Sequence, residues 1–320
     1  MQKVLVTGAA GFIGSTLCEA LTQRGDVVVG LDNFQPFYDP SIKRANLTGL
    51  TKRSNFTFVE GDIRDAERLT QLFSTQRFDA VIHLAAMAGV RPSIQDPMLY
   101  TDINLTGSMR LFEAMRAHGC KRMMFGSSSS VYGGSTEVPF REDQTADRPV
   151  SPYAATKRAG EVLAHAYHHL FGFTIACLRF FTVYGPRQRP EMAIHQFTRL
   201  IDQGKPVPFF GDGSSRRDYT YVDDIVDGIV RALDRANGFA IYNLGGHKTT
   251  SLKELVELIE SRLGKQAVLN RLPDQPGDVP ITYADITRAH ADLGYAPRTP
   301  IDDGVTKFVA WYRERGAHRG

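Results

Sequence analysis

A tyrosine and a lysine stand four residues apart in Ser151-Pro-Tyr-Ala-Ala-Thr-Lys157, and the chain opens on Val6-Thr-Gly-Ala-Ala-Gly-Phe-Ile-Gly14. On a helix, residues four apart share a face and sit one above the other. A lysine ammonium so placed favours ionised Tyr153. It draws the phenol from its usual pKa near ~10 toward the working range of a general base. Gly8, Gly11 and Gly14 are spaced Gly-x-x-Gly-x-x-Gly between an apolar run and a helical stretch. Glycines there allow a tight turn and a close approach of backbone to a pyrophosphate, whose charge meets the helix N-terminus. Asp32 closes the next apolar run, 18 residues beyond Gly14. A carboxylate at that point accepts from an adenosine 2′-hydroxyl and repels a 2′-phosphate, which favours NAD over NADP. Lys43 and Arg44 follow an acidic, aromatic loop and make a poor phosphate clamp. Asp62, in Gly61-Asp-Ile63, suits either a hydrogen bond to adenine or a helix N-cap.

Positioning these groups takes alternating strands and helices. Short apolar runs occur at 3–7, 27–31, 56–59, 80–84, 122–125 and 174–181, with helical stretches at 12–24, 66–73, 100–118 and 153–169. Strand, helix, strand repeated in this way predicts a parallel sheet covered on both faces. After Phe181 the pattern loosens into turn chemistry at Tyr184-Gly-Pro, Arg189-Pro, Lys205-Pro-Val-Pro and Gly211-Asp-Gly-Ser-Ser. A helix at 222–233 and a strand at 241–244 return to the sheet. Ser251-Leu-Lys-Glu254 is a capping box for a helix ending near 263. A last helix starts near 301, and 313–320 is expected to fray. The expectation is α/β: a doubly wound parallel Rossmann sheet with a smaller, discontinuous α/β substrate-binding lobe. The sheet domain takes 1–180 and 219–247, and the lobe takes 181–218 and 248–320.

The composition is that of a soluble globular chain, 42% hydrophobic and 23% charged over 320 residues. A net charge of +3, evenly spread, argues against nucleic acid or a membrane surface as partner. Cys18, Cys120 and Cys177 lie apart in apolar stretches and read as buried free thiols. The first residues run directly into a strand, and no apolar run nears the ~20 residues of a spanning helix, so a cytoplasmic protein is expected. His165, His168 and His169 have helical metal-ligand spacing but no accompanying cysteine or carboxylate cluster. They read as a solvated face, and no metal is expected. His83 reads as a hydrogen-bonded core histidine.

Ser127-Ser-Ser-Ser130 follows the 122–125 run, at the carboxyl edge of the sheet where such folds bind ligands. A hydroxyl there suits a hydrogen bond to a reacting sugar oxygen. With Val131-Tyr-Gly133 next and Tyr153 25 residues after Ser128, the chain resembles the extended short-chain dehydrogenases/reductases that act on nucleotide sugars. The resemblance rests on Thr7-Gly-Ala-Ala-Gly-Phe-Ile-Gly14, Gly61-Asp-Ile63, His83-Leu-Ala-Ala86, 127–133, Tyr153-x-x-x-Lys157, Arg179-Phe-Phe-Thr-Val-Tyr-Gly-Pro186 and Arg217-Asp-Tyr219. These segments span nearly the whole chain in the family's order. Four further segments are similar to UDP-glucuronate 4-epimerases: Asp32-Asn-Phe34 with Phe37-Tyr-Asp39 and Lys43-Arg44, Ala88-Gly-Val-Arg-Pro-Ser93, Arg187-Gln-Arg-Pro-Glu-Met-Ala193, and Gln275-Pro-Gly-Asp-Val279.

The resemblance implies a catalytic set of Tyr153, Lys157 and Ser128. It implies an NAD site through Gly8, Gly11, Phe12, Ile13, Gly14, Asp32, Asn33, Asp62, Ile63, Leu84, Ala85, Ala86 and Ala88, completed by Tyr153 and Lys157. By the same resemblance Thr182 and Arg217 hold the substrate diphosphate, Asp278 the uridine ribose, and Phe210, in Pro208-Phe-Phe210, flanks uracil. Many relatives acting on neutral sugars have arginine where this chain has Gln275, which puts a second phosphate or ribose cation in doubt. UDP-glucuronate 4-epimerases share the glutamine.

Arg189 is the candidate for sugar specificity. A guanidinium makes two parallel hydrogen bonds to a carboxylate, and Ser129 and Ser130 would complete the cradle. Arg187 competes for the role. Dehydratases of the family place an Asp-Glu pair where this chain has serines, so oxidation should be followed by re-reduction. The expected reaction is C4 epimerisation of UDP-glucuronate to UDP-galacturonate, with NAD as hydride acceptor and Tyr153 as base. A UDP-glucuronate decarboxylase is the next reading, then a UDP-glucose 4-epimerase. A non-catalytic NAD-sensing scaffold ranks below these because Tyr153 and Lys157 are both present. The resemblance also implies a homodimer, paired through 100–118 and 153–169.

Overall fold

Alternate residues of a strand face opposite ways, and here both directions are apolar. Val4, Val6, Val28, Ile82 and Met124 pack into one cluster, and Leu5, Val29, Val81 and Met123 into another. Strands buried on both faces belong at the centre of a parallel sheet flanked by helices. The computed structural model describes residues 1–273 and 279–317. It shows one seven-stranded sheet: β1 (Lys3–Thr7), β2 (Val27–Asp32), β3 (Phe56–Glu60), β4 (Ala80–His83), β5 (Arg122–Ser128), β6 (Thr174–Phe180) and β7 (Phe239–Leu244). All neighbours run parallel, in the order β7-β6-β5-β4-β1-β2-β3. The chain leaves β1 toward β2 and β3, then returns to β4 on the other side. That reversal opens a crevice beyond the carboxyl ends of β1 and β4.

Five helices cover the sheet: α1 (Phe12–Arg24), α2 (Ala66–Thr75), α3 (Ser108–Ala117), α4 (Pro152–Phe171) and α5 (Val222–Arg235). Leu17 and Leu21 of α1 join Ile225 and Ile229 of α5 in the first cluster. Leu69 and Phe73 of α2, Leu111 and Met115 of α3, and Ala164 and Tyr167 of α4 join the second. α4 begins abruptly. Ser151 caps it by accepting from the Ala154 amide at 3.1 Å, and Pro152 occupies its first turn. Tyr153 therefore lies at the helix entrance and Lys157 one turn in.

The helix expected over 100–118 is broken into three pieces. Pro97–Thr101 and α3 flank a wide π turn at Asp102–Gly107. A π turn inserts an extra residue and re-aims side chains, and here it turns Asn104 inward. Beyond β6, Thr182–Tyr184 pairs with Tyr219–Tyr221, Arg216–Arg217 with Thr250–Ser251, and Pro206–Phe210 with Val268–Leu272. Both bonds of the Ser251–Glu254 capping box are present. Ile194, Phe197, Val207, Phe209 and Phe308 of this region share one continuous core with the α1 and α5 side of the sheet. The last helix, Ile301–Ala317, is anchored by Val305, Phe308 and Val309.

His83, at the end of β4, is a core histidine. Ser108 Oγ donates to the Asn104 carbonyl at 2.5 Å, so it accepts from His83 Nε2 at 2.9 Å, and Thr7 Oγ1 donates to Nδ1 at 2.7 Å. Burial, with Lys157 nearby, lowers the imidazole pKa to about 3. The folded chain thus refuses a proton that the unfolded chain takes up below its ordinary value of 6.5. Stability is full above that pH and is lost as pH falls from 6.5 toward 3, by up to about 1.4 kcal/mol per pH unit. Urea titrations at pH 7, 6 and 5 should show this slope in the wild type. His83→Gln should be less stable at pH 7 but flatter with pH, and an equal slope in the variant would remove His83 as its source.

Candidate active site

The turn after β1 is packed too closely for side chains. A Cβ on Gly14 would lie 2.1 Å from the Gly8 carbonyl oxygen, and Gly8 has φ +74. The backbone thereby passes directly into α1, whose first turn carries no side-chain cap. Its residues Phe12, Ile13 and Gly14 line a cavity of about 390 Å³, within the range of small-molecule sites. That is a cradle suited to a diphosphate.

Asp32 lies beside it, buried, its Oδ2 accepting from the Ala10 amide at 3.1 Å and its Oδ1 from Phe34 at 2.8 Å. Lys43 approaches to 3.6 Å of Oδ1. Lys43 and Arg44 sit on a helix, Pro40–Leu47, in a stretch where the sequence pattern marks none. Arg44 lies over the Phe34 ring rather than over the cavity. Asp62 does not cap α2; Asp65 does, accepting from Arg68. Burial works against the Asp62 carboxylate, yet Arg64 and Asn33 hold its pKa below the usual range. Asn33, Asp62, Ile63, Leu84, Ala85, Ala86 and Ala88 all line the same cavity.

At its far end the cavity is walled by Ser128, Ser129, Ser130, Tyr153, Lys157, Thr182 and Arg189. β5 runs three residues beyond its expected end, so Ser127 and Ser128 are strand residues with opposite directions. Ser128 Oγ bonds Ser130 Oγ at 3.0 Å and hydrogen-bonds Tyr153. Ser127 turns back into the core. Burial raises the Tyr153 phenol above its ordinary value, while Ser128 and Arg189 pull it down. Lys157 is not the group that lowers it here. Its Nζ donates to the Gly126 carbonyl at 2.7 Å, and burial brings its own pKa down to about 8, against the pull of Glu161. The Tyr100 ring packs edge-on against Tyr153 with centroids 6.2 Å apart.

Two buried groups behind this wall escaped the sequence reading. Glu161, fully buried, accepts from Ser127 at 2.7 Å, from Arg179 at 2.8 and 2.9 Å, and from Arg158 at 3.0 Å. The signal was present, since 153, 157 and 161 form one i, i+4, i+8 stripe on α4. Asn104 bonds both the amide and the carbonyl of Met87, at 2.7 and 2.9 Å, and Thr156 of α4 at 3.0 Å. No spacing in the sequence pointed to it.

The loop after Tyr184 separates the two candidate arginines. Gln188 is buried, donating to the Val183 carbonyl and accepting from the His195 amide. Its neighbours then leave on opposite sides. Arg187, at φ +70, pairs with Glu19 of α1 at 2.7 Å. Arg189 lines the cavity. Phe210 and Arg217 are not cavity-wall residues. The Phe210 ring lies under Arg91 at 5.0 Å, and Arg217 donates to the Arg216 carbonyl. Asp278 lies outside the described residues.

Comparison with known proteins places these features. The model of the NAD dependent epimerase/dehydratase family matches residues 4–245. A UDP-glucuronate 4-epimerase of Thermodesulfobacterium geofontis is 43% identical over 315 residues, covering 98% of this chain and 97% of that protein. The crystal structure of UDP-glucuronic acid 4-epimerase from Bacillus cereus, in complex with UDP-glucuronic acid and NAD, matches with a TM-score of 0.92 at 38% identity, over 98% of this chain and 99% of that one. UDP-glucose 4-epimerase from Thermotoga maritima, with UDP-glucose, matches with a TM-score of 0.91 at 32% identity, over 98% and 99%.

The Asp32–Lys43 pair generates a prediction about the dinucleotide. Asp32→Ala removes the acceptor for a 2′-hydroxyl and frees Lys43, a cation suited to a 2′-phosphate. NAD binding should weaken by roughly ten- to a hundredfold, the worth of a hydrogen bond to a charged group. NADP binding should weaken less or improve, and Lys43→Ala added to the variant should cancel that advantage. Fluorescence titration with both dinucleotides decides it. A proportional loss of both would separate Asp32 from the choice.

Proposed function

From the premise that the chain belongs to the NAD dependent epimerase/dehydratase family, we propose that it interconverts UDP-glucuronate and UDP-galacturonate at C4. One observation carries the reading. Tyr153, Ser128 and Arg189 wall the same cavity as the glycine turn and Asp32, while Arg187 is turned away onto α1. A phenol, a glycine turn beside a carboxylate and an arginine thus line one space, which supports the reading.

The residues present fit NAD. The amides of Phe12, Ile13 and Gly14 would take its diphosphate, Asp32 the adenosine ribose, Asp62 the adenine, and Lys157 the nicotinamide ribose. When bound, NAD would supply a reversible hydride acceptor for the sugar C4. Tyr153 removes the O4 proton and later restores it, with Ser128 bonded to the phenol. Thr182 and Arg217 are assigned to the substrate diphosphate, Phe210 to uracil and Asp278 to the uridine ribose. That leaves the sugar free to turn while its nucleotide stays anchored. Residues 1–180 and 219–247 would bind NAD, and 181–218 and 248–320 the nucleotide sugar. No carboxylate stands among Ser127–Ser130 to remove water, which supports re-reduction over dehydration.

The 4-keto form of a uronate is a β-keto acid, and it loses carbon dioxide fastest when the carboxylate bond stands perpendicular to the carbonyl plane. Arg189, with Ser129 and Ser130, is assigned to hold the carboxylate near that plane. Charge-assisted bonds of this kind are roughly twice as strong as neutral ones.

The family resemblance implies a homodimer formed by 100–118 and α4. Val162, within 153–169, and Met98 and Leu170, just beyond 100–118 and 153–169 respectively, support it as apolar side chains left 55%, 76% and 66% exposed. Light scattering on the purified protein should give twice the chain mass, and a monomer at micromolar concentration would refute the pairing.

Incubation with UDP-glucuronate should yield UDP-galacturonate. Tyr153→Phe should keep UDP-sugar binding and lose on the order of 10²–10⁴-fold in turnover. Arg189→Ala should weaken uronate binding and raise the share of UDP-4-keto-pentose among the products, while leaving UDP-glucose binding unchanged. Chromatography of the products tests both variants. Turnover at the wild-type rate by Tyr153→Phe excludes Tyr153 as the base. Equal losses by Arg189→Ala on both sugars would move the carboxylate contact elsewhere.

A further inference from the structure

Arg189 already has a carboxylate. Its Nε lies 3.1 Å from Glu191 Oε1, two residues along the same loop. Its guanidinium lies over the Phe37 ring at 5.4 Å, and its Nη2 donates to Met192 Sδ at 3.4 Å. Of these three neighbours only Glu191 carries charge. Arg189 is 20% exposed and Glu191 43%. Arg179 and Glu161 are sealed, at 1% and 0%, and Arg187 is drawn off by Glu19 of another element. In the Arg189–Glu191 pair the cation is largely buried at the cavity wall and the acid, on a flexible side chain, is the solvent-exposed partner.

We propose that Glu191 is a stand-in for the substrate carboxylate, compensating Arg189 when no uronate is bound and yielding that position when one is. This rests on the reading of Arg189 as the carboxylate contact, and it adds the residue that sets how strongly a uronate is preferred. One guanidinium cannot compensate two adjacent carboxylates at full strength, because like charges in one site oppose each other. Uronate binding therefore works against the Glu191 contact. Tethered two residues away, Glu191 is always present at high local concentration and reforms the pair on release. A pair whose acid is exposed to solvent is weak enough to exchange. A neutral hexose carries no charge to displace Glu191, so its binding does not draw on the pair. The Phe37 ring attracts the guanidinium independently of Glu191, so it can help keep the cation in place while the carboxylate partner changes.

The test is calorimetry on NAD-loaded protein in a Tyr153→Phe background, where sugars bind without turning over. UDP-glucuronate and UDP-glucose are titrated into that background alone and with Glu191→Gln, Arg189→Ala, or both. Glu191→Gln should tighten UDP-glucuronate by roughly two- to fivefold, the range set by an exposed ion pair, and leave UDP-glucose unchanged. The gain should vanish when Arg189→Ala is also present. Unchanged or weaker uronate binding in Glu191→Gln, beside a clear loss in Arg189→Ala, overturns the stand-in while sparing the carboxylate reading. Tightening that persists without Arg189 overturns it too, since the effect would then not pass through the pair. Unchanged binding in Arg189→Ala overturns the carboxylate reading and the stand-in with it.

Discussion

One carboxylate, buried behind the cavity, holds its chemical end together. Glu161 has no exposed surface and accepts from a hydroxyl of β5, a guanidinium of β6 and a second guanidinium on its own helix. Removing such ions from water is costly, and the cost is offset only where geometry and hydrogen bonding are nearly complete. Arg179 supplies two parallel bonds and a stack over Tyr132 at 4.7 Å, its buried Nη1 being left without a hydrogen-bond partner, and Tyr132 in turn bonds Asn243 of β7. The result is a fixed register among three strands and α4, set just beneath Ser128, Tyr153 and Lys157. A loose helix would carry Tyr153 away from Ser128. This one is tied one and two turns beyond the tyrosine.

The Arg189 end of the cavity is organised by the opposite kind of contact. Gln188, a neutral amide, is buried in the loop and satisfied by backbone groups. It anchors the loop without a charge, and its flanking arginines are left to find separate partners. One finds α1 and the other the cavity. Rigidity therefore lies behind the chemistry and exchangeable charge lies in front of it. That arrangement suits the proposed reaction, in which a tyrosine is held still while a sugar turns.

Much of this was readable along the chain. The glycine spacing, the carboxylate at Asp32 and the Tyr153–Lys157 pair depend on local geometry, a turn or one helical step, and local geometry is written in neighbouring residues. The sheet followed from the alternation of apolar runs with helical ones. What was missed involves contacts across long separations or changes of helical type. The π turn at 102–107 that aims Asn104, the helix carrying Lys43, and the partner of Ser127 belong to this group. Lys157 is the clearest case. Its spacing from Tyr153 is helical as expected, yet its ammonium bonds Gly126 on β5, 31 residues away.

The sequence by itself determined which chemistry this chain can attempt: a dinucleotide turn, a phenol on a helix, and serines rather than acids at the strand end. Those choices are made by residue type and short spacing, where backbone geometry leaves few alternatives. Only the tertiary structure decided which arginine meets the cavity, since Arg187 and Arg189 are two residues apart and alike in chemistry. Their separation comes from a buried glutamine and from Glu19, 168 residues away, on a helix that packs beside the loop only once the sheet has formed.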